Sequence, residues 1–173
     1  MKTLNDHLSQ YAAYHRDRRN ILTHFVGIPM IVLAVVVLLA RPVFDIAGIA
    51  LSPATLAVIA ATLYYLRLDL RFGIVMGLLL ALCLAVAHAT APWSTGAWAG
   101  LGLGLFVVGW VIQFVGHIFE GRKPAFVDDV MGLIIGPLFV VAELAFLMGL
   151  RREVEAVVES RAGPVHSGRA LAK

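Results

Sequence analysis

The sequence predicts an all-α protein, a polytopic transmembrane helical bundle of four to five spans with an amphipathic helix at its N-terminus. Three observations carry this. The 173 residues are 60% hydrophobic and only 14% charged, with a mean hydropathy of +0.87, whereas a soluble domain of this size carries more charge. Apolar runs near the ~20 residues that cross a bilayer recur along the chain. Lys and Arg fall in short clusters between those runs, as membrane topology requires. The net charge of +3 therefore reads as a topology signal, and no nucleic-acid partner is expected. Cys83 is the one cysteine, which excludes an intrachain disulfide and a CxxC metal site.

The elements follow in chain order. From about residue 3 to 16, Leu4, Leu8, Tyr11 and Ala12 fall on one side of a helix, suited to the membrane surface or the underside of the bundle. The segment MKTLNDHLSQYAAYHRDRRN is too long and too mixed in charge for a cleaved signal, so it is expected to be retained. Spans are expected at about 21–40, 46–66, 73–91, 97–119 and 130–150. Residues 1–155 read as a single integral-membrane domain, and 156–173 as a polar, disordered tail that includes His166. Gly102, Gly104, Gly109 and Gly116 read as aids to close helix packing.

With the N-terminus in the cytoplasm, the inner side receives Lys2, Arg16, Arg18, Arg19, Arg67, Arg71, Arg122 and Lys123, and the outer side of the first four spans only Arg41. A full fifth crossing places Arg151 and Arg152 outside. Two readings of that run stand: Gly136-Pro137 breaks it into half-helices that return to the cytoplasmic side, or it crosses straight through.

This topology brings His15, His24 and His117 to one depth. Each is either an interfacial, hydrogen-bonded residue, or the three converge as metal ligands, with open positions suiting Fe(II) or Zn. On one continuous helix, His15 and His24 would lie about 13–14 Å apart along the axis on nearly opposite faces. A shared site therefore requires a break between them, expected at RDRRN with Asn20 as N-cap. On the fourth span Gln113, His117 and Glu120 share a face. Glu120 is then a ligand or orients His117, and Arg122 and Lys123 stand where an acid headgroup would arrive. His88 sits near the other membrane face. Glu143 pairs with His88 if the fifth run crosses, or joins the histidine cluster if it is interrupted.

Two stretches, YHRDRRNILTHFVGIP (14–29) and GWVIQFVGHIFEGRKPAFVDD (109–129), followed by GPLFVVAEL (136–144), resemble the iron-dependent 2-hydroxy fatty acid dioxygenases. Fungal members of that family carry out the α-oxidation step of phytosphingosine breakdown in the endoplasmic reticulum. The resemblance implies an enzyme that shortens a 2-hydroxy fatty acid by one carbon with Fe(II) and O2, without 2-oxoglutarate. It implies His15, His24 and His117 as the essential histidines. On this reading Glu120 or Glu143 takes the hydroxyl proton, and Asn20, Gln113, Arg122 and Lys123 contact the substrate. The composition reads as bacterial, which places the chain in an inner membrane with the site facing the cytoplasm; the oligomeric state is left open. Two other classes stand beside this one: a membrane haem protein with His24 and His117 as axial ligands, and a small transporter or scaffold.

Overall fold

The structure is a computed structural model that describes residues 2–47, 49–124 and 130–167. It is all-α apart from one short hairpin: α1 (Leu4–Ala12), α2 (Arg18–Leu38), β1 (Phe44–Ile46), β2 (Ile49–Leu51), α3 (Pro53–Leu68), α4 (Leu70–Thr90), α5 (Thr95–Glu120), α6 (Gly132–Leu147) and α7 (Arg152–Ala162). Among the described residues, α2, α4 and α5 are long and apolar enough to cross a membrane; a fourth span results if the bent pair α6–α7 counts as one. The chain groups into two compact units, one built from residues up to Ile28 and from Trp110 onward, the other from Pro29–Gly109.

In the first unit, α1 starts at a capping box in which Thr3 Oγ1 accepts from Asp6 N and Asp6 Oδ2 accepts from Thr3 N. Its buried face is the one the periodicity predicts: Leu4, Leu8, Tyr11 and Ala12. The helix stops at Ala12, short of residue 16, because its last carbonyls are taken by other donors. Tyr11 O accepts from Tyr14 N and from the His15 ring, and Ala12 O accepts from His15 N. That competition between side chain and backbone is what opens the chain before α2.

α1 packs against α6 and α7. Gly136 and Pro137 do not interrupt α6; the helix runs through both. Gly136 instead makes room, since a Cβ there would lie 3.0 Å from Tyr11 Oη and 3.2 Å from Ile28 Cδ1. Pro137 forfeits one ladder bond, but a helix remains the form that satisfies the other backbone groups in an apolar setting. The break falls later. Leu150 N donates to Ala145 O and Gly149 N to Phe146 O, both at 2.8 Å, with Gly149 at φ +72°. This is a Schellman stop, and α7 leaves at 113° to α6.

The expected tail is thus in part helix: α7 begins at Arg152 and buries Val154 and Val158. Beyond it His166 is bonded by its backbone to the α1–α2 joint. His166 N donates to Arg16 O (2.9 Å), and Arg18 N donates to His166 O (2.8 Å). Residues 168–173 lie outside the described residues.

In the second unit, the expected span 46–66 is corrected. β1 and β2 pair antiparallel there, with Phe44 opposite Leu51, and α3 begins only at Pro53, capped by Ser52. Pro53 fits the first turn, where its missing N–H has no helical partner. Asp69 alone joins α3 to α4, its Oδ1 accepting from Phe72 N at 2.9 Å. Gly73 permits this hairpin, since a Cβ would lie 2.5 Å from Leu66 Cα. Gly104, by contrast, faces open space, so its expected packing role is not met among the described residues. Arg41 donates to Ala91 O and Trp93 O and lies over the Trp98 ring.

Candidate metal centre

The three histidines come together inside the first unit. His15 sits in the joint between α1 and α2, His24 in the second turn of α2, and His117 in the last turn of α5. One nitrogen from each lies within 4.8 Å of the other two. The ring centroids are 4.5 Å apart for His15–His24, 5.0 Å for His15–His117 and 5.3 Å for His24–His117. All three are buried, His15 completely.

Local bonds fix the rings. His15 Nδ1 donates to Tyr11 O at 2.7 Å, and His24 Nδ1 donates to Asn20 O at 2.8 Å. Because a carbonyl can only accept, both rings carry their proton on Nδ1 and leave Nε2 with a free lone pair. Carbonyl-held Nδ1 is the usual support of a metal-ligating imidazole. His15 Nε2 and His117 Nδ1 are buried with no hydrogen-bond partner. Two orphaned nitrogens in one buried cluster carry a desolvation cost that a bound cation removes. Burial first, and then the neighbouring His24 ring, hold His15 well below the ordinary imidazole pKa, which keeps it neutral as a ligand must be. The Tyr11 ring stacks on His15 at 4.1 Å, and Phe139 packs on both, a cover that excludes water. The residues therefore fit a metal ion held by three imidazoles.

The break between His15 and His24 exists, but its cap is not Asn20. α2 begins at Arg18, and Asp17 Oδ1 accepts from Arg19 N at 2.8 Å. Asp17 is the better cap because it precedes the helix, where its carboxylate meets orphan N–H groups. Asn20 lies inside the first turn, fully buried, and donates from Nδ2 to Glu120 Oε2 at 3.0 Å.

Glu120 braces the joint. Its oxygens accept from Arg16 N (3.1 Å) and Asp17 N (2.8 Å) as well as from Asn20. The end of α5 is thereby tied to the loop that carries His15. Glu143 pairs with Arg16, Nη2 to Oε1 at 2.8 Å, both residues buried. A His88–Glu143 pair is therefore overturned, and His88 lies exposed on α4. Gln113, one turn before His117, is buried with Nε2 unpartnered. Arg122 Nη1 donates to Ala13 O at 2.7 Å, and Lys123 is exposed just beyond. Residues 125–129 of the second quoted stretch lie outside the described residues.

Arg16 is the site residue the sequence concealed. It reads there as one more inner-side charge, and only its long-range partners, invisible in sequence, distinguish it from Arg18. A haem between His24 and His117 does not fit, since those rings are 5.3 Å apart and His15 packs against both. A macrocycle has no plane to occupy there.

Fold and site together define a membrane helical protein with a buried three-histidine centre able to hold a metal. The chain matches the family described as Mpo1-like, 2-hydroxy-palmitic acid dioxygenase Mpo1-like, over residues 1–148. It is 35% identical over 160 residues to the 2-hydroxy-palmitic acid dioxygenase MPO1 of Saccharomyces cerevisiae, covering 90% of this chain and 87% of that protein. No solved structure matches it. The chain belongs to the Mpo1-like family.

Proposed function

We propose that this protein is an Fe(II)-dependent dioxygenase that shortens 2-hydroxy fatty acids by one carbon, working in a bacterial inner membrane with its N-terminus and site on the cytoplasmic side. The observation that carries the reading is the buried triad of His15, His24 and His117 with orphaned ring nitrogens. The similarity to a 2-hydroxy-palmitic acid dioxygenase supports the substrate class. A 2-hydroxy acid plus O2 balances to the acid one carbon shorter, CO2 and water, so no 2-oxoglutarate is required.

His15, His24 and His117 hold the ion. When bound, Fe(II) supplies open coordination positions and the electrons that O2 activation needs. The Gln113 amide, buried with an unused donor, hydrogen-bonds the substrate carboxylate or 2-hydroxyl. Asn20 likewise has its Oδ1 buried and unpartnered and is assigned to the same substrate. Arg122 and Lys123 give the substrate acid a positive approach from the inner surface. Tyr11 and Phe139 keep water from the rings. Glu120 and Glu143 support this arrangement through the backbone and Arg16, and one of them takes the hydroxyl proton.

Metal analysis of the purified protein, coupled to O2 uptake with a 2-hydroxy fatty acid, tests the proposal. His117→Ala is expected to lose both bound iron and chain-shortened product. Retention of both in that variant overturns the assignment, as does a Soret band in the purified wild type.

A further inference from the structure

The segment Gly163–His166 reaches back to the joint that carries the first histidine, where one side chain, Arg16, gathers several of the bonds. Arg16 follows His15 directly and is itself buried. Its Nε donates to Ala12 O (3.1 Å) and His15 O (2.9 Å), its Nη1 to Gly163 O (3.2 Å) and its Nη2 to Glu143 Oε1 (2.8 Å). One guanidinium therefore joins the end of α1, the carbonyl of the ligand residue, the C-terminal part of α6 and the end of α7. The rigid fork of arginine suits this, since lysine cannot bond in several directions from fixed positions. Glu155 and Glu159 of α7 line a small cavity beside the Arg16–Glu143 pair. The backbone bonds of His166 to Arg16 and Arg18 close the same joint from the other side, and Asp6–Arg161 at 2.8 Å fastens α7 to α1.

We infer that Arg16, held by Glu143 and by the segment Gly163–His166, is the positioning residue of the metal centre, setting the His15 ring against His24 and His117. Two features favour positioning over general stability. Every Arg16 side-chain bond on the α1 side is made to the turn that ends in His15, and one of them is made to the His15 carbonyl itself. Burying an ion pair gives little net stability, so a structural role alone does not account for it. The inference rests on the triad binding a metal.

The test uses Co(II) as a spectroscopic probe on the full chain and three variants in detergent. Arg16→Lys keeps the charge but loses the fork. Glu143→Gln keeps the shape but loses the ion pair. Truncation after Ala162 removes the Gly163 carbonyl and the His166 bonds while leaving α7 intact. Each is expected to weaken Co(II) binding about tenfold or more and to alter the d–d spectrum, with helical content retained by circular dichroism. A role confined to stability would lower the melting temperature and leave the Co(II) affinity and spectrum as in wild type, and that result overturns the inference. Should the unaltered chain bind no Co(II), Zn(II) or Fe(II), the metal reading itself falls and the inference with it. Wild-type binding with unchanged variants removes only the positioning role.

Discussion

At the scale of single residues, the centre depends on how closely α2 and α5 approach. Gly116 lies one residue before His117, and a Cβ there would collide with Thr23 Oγ1 and Asn20 Oδ1. Gly116→Ala is expected to push α2 from α5, reducing metal affinity and product formation together, by tenfold or more in iron titrations. Gly100→Ala is the control, because its Cβ meets nothing within 4 Å, and it is expected to be neutral or slightly stabilising. The three histidines were legible in the sequence because titratable groups are costly at membrane depth and few others compete for attention there. Glu120 was legible as a member of the site but not in its task. Its partners are backbone N–H groups of residues 16 and 17, and no periodicity encodes a bond across a hundred residues. Arg16 was hidden for the same reason.

Elements were legible where helical period and capping agree. The buried stripe of α1 is the one the spacing gives, and its end moved because the His15 ring took a carbonyl that the helix would have used. Gly149 carried the true stop of the fifth run. The Gly-Pro pair is the more conspicuous signal in the sequence, but Pro inside an apolar helix costs a bond without dictating a turn, whereas Gly149 at φ +72° occupies a conformation L-residues avoid. Gly149→Ala is therefore expected to destabilise the α6–α7 corner by about 1–2 kcal/mol, read as a lower midpoint in thermal unfolding. The α1–α7 contact should also respond to acid. Hydrogen bonds from Thr3, then Arg161, hold the Asp6 carboxyl far below the ordinary range. A group depressed in the folded state stabilises above its unfolded pKa, near 4, and loses that contribution as pH falls below it. Amide exchange in α7 should accelerate as pH drops from about 5 to 3, after correction for intrinsic rates, and Asp6→Asn should show the acid behaviour already at pH 6. Unchanged protection would detach Asp6–Arg161 from the docking of α7.

For the whole molecule, the class was readable from composition and run length, because a bilayer allows few backbone solutions. The number of spans was less so. Run length alone cannot separate a helix from a hairpin followed by a shorter helix, which is how 46–66 resolved into β1, β2 and α3. If the centre binds its ion only when folded, the ion must also stabilise the fold: a free concentration a hundredfold above Kd contributes about 2.7 kcal/mol. Chelation is accordingly expected to lower the unfolding midpoint of wild type and to leave that of His117→Ala unmoved. Equal shifts in both would mean the chelator acts elsewhere.

The bonds between His166 and residues 16–18 also set an order of events in time. His15 leaves the ribosome well before His166, since synthesis runs from the N-terminus. The joint that orients His15 waits for its final strap until residue 166 has been made, so a nascent chain already threaded into the bilayer still holds an unfinished joint. If the triad binds its ion as proposed, loading follows the closing of that strap, and a chain stalled or clipped before His166 is expected to insert normally and yet mature poorly.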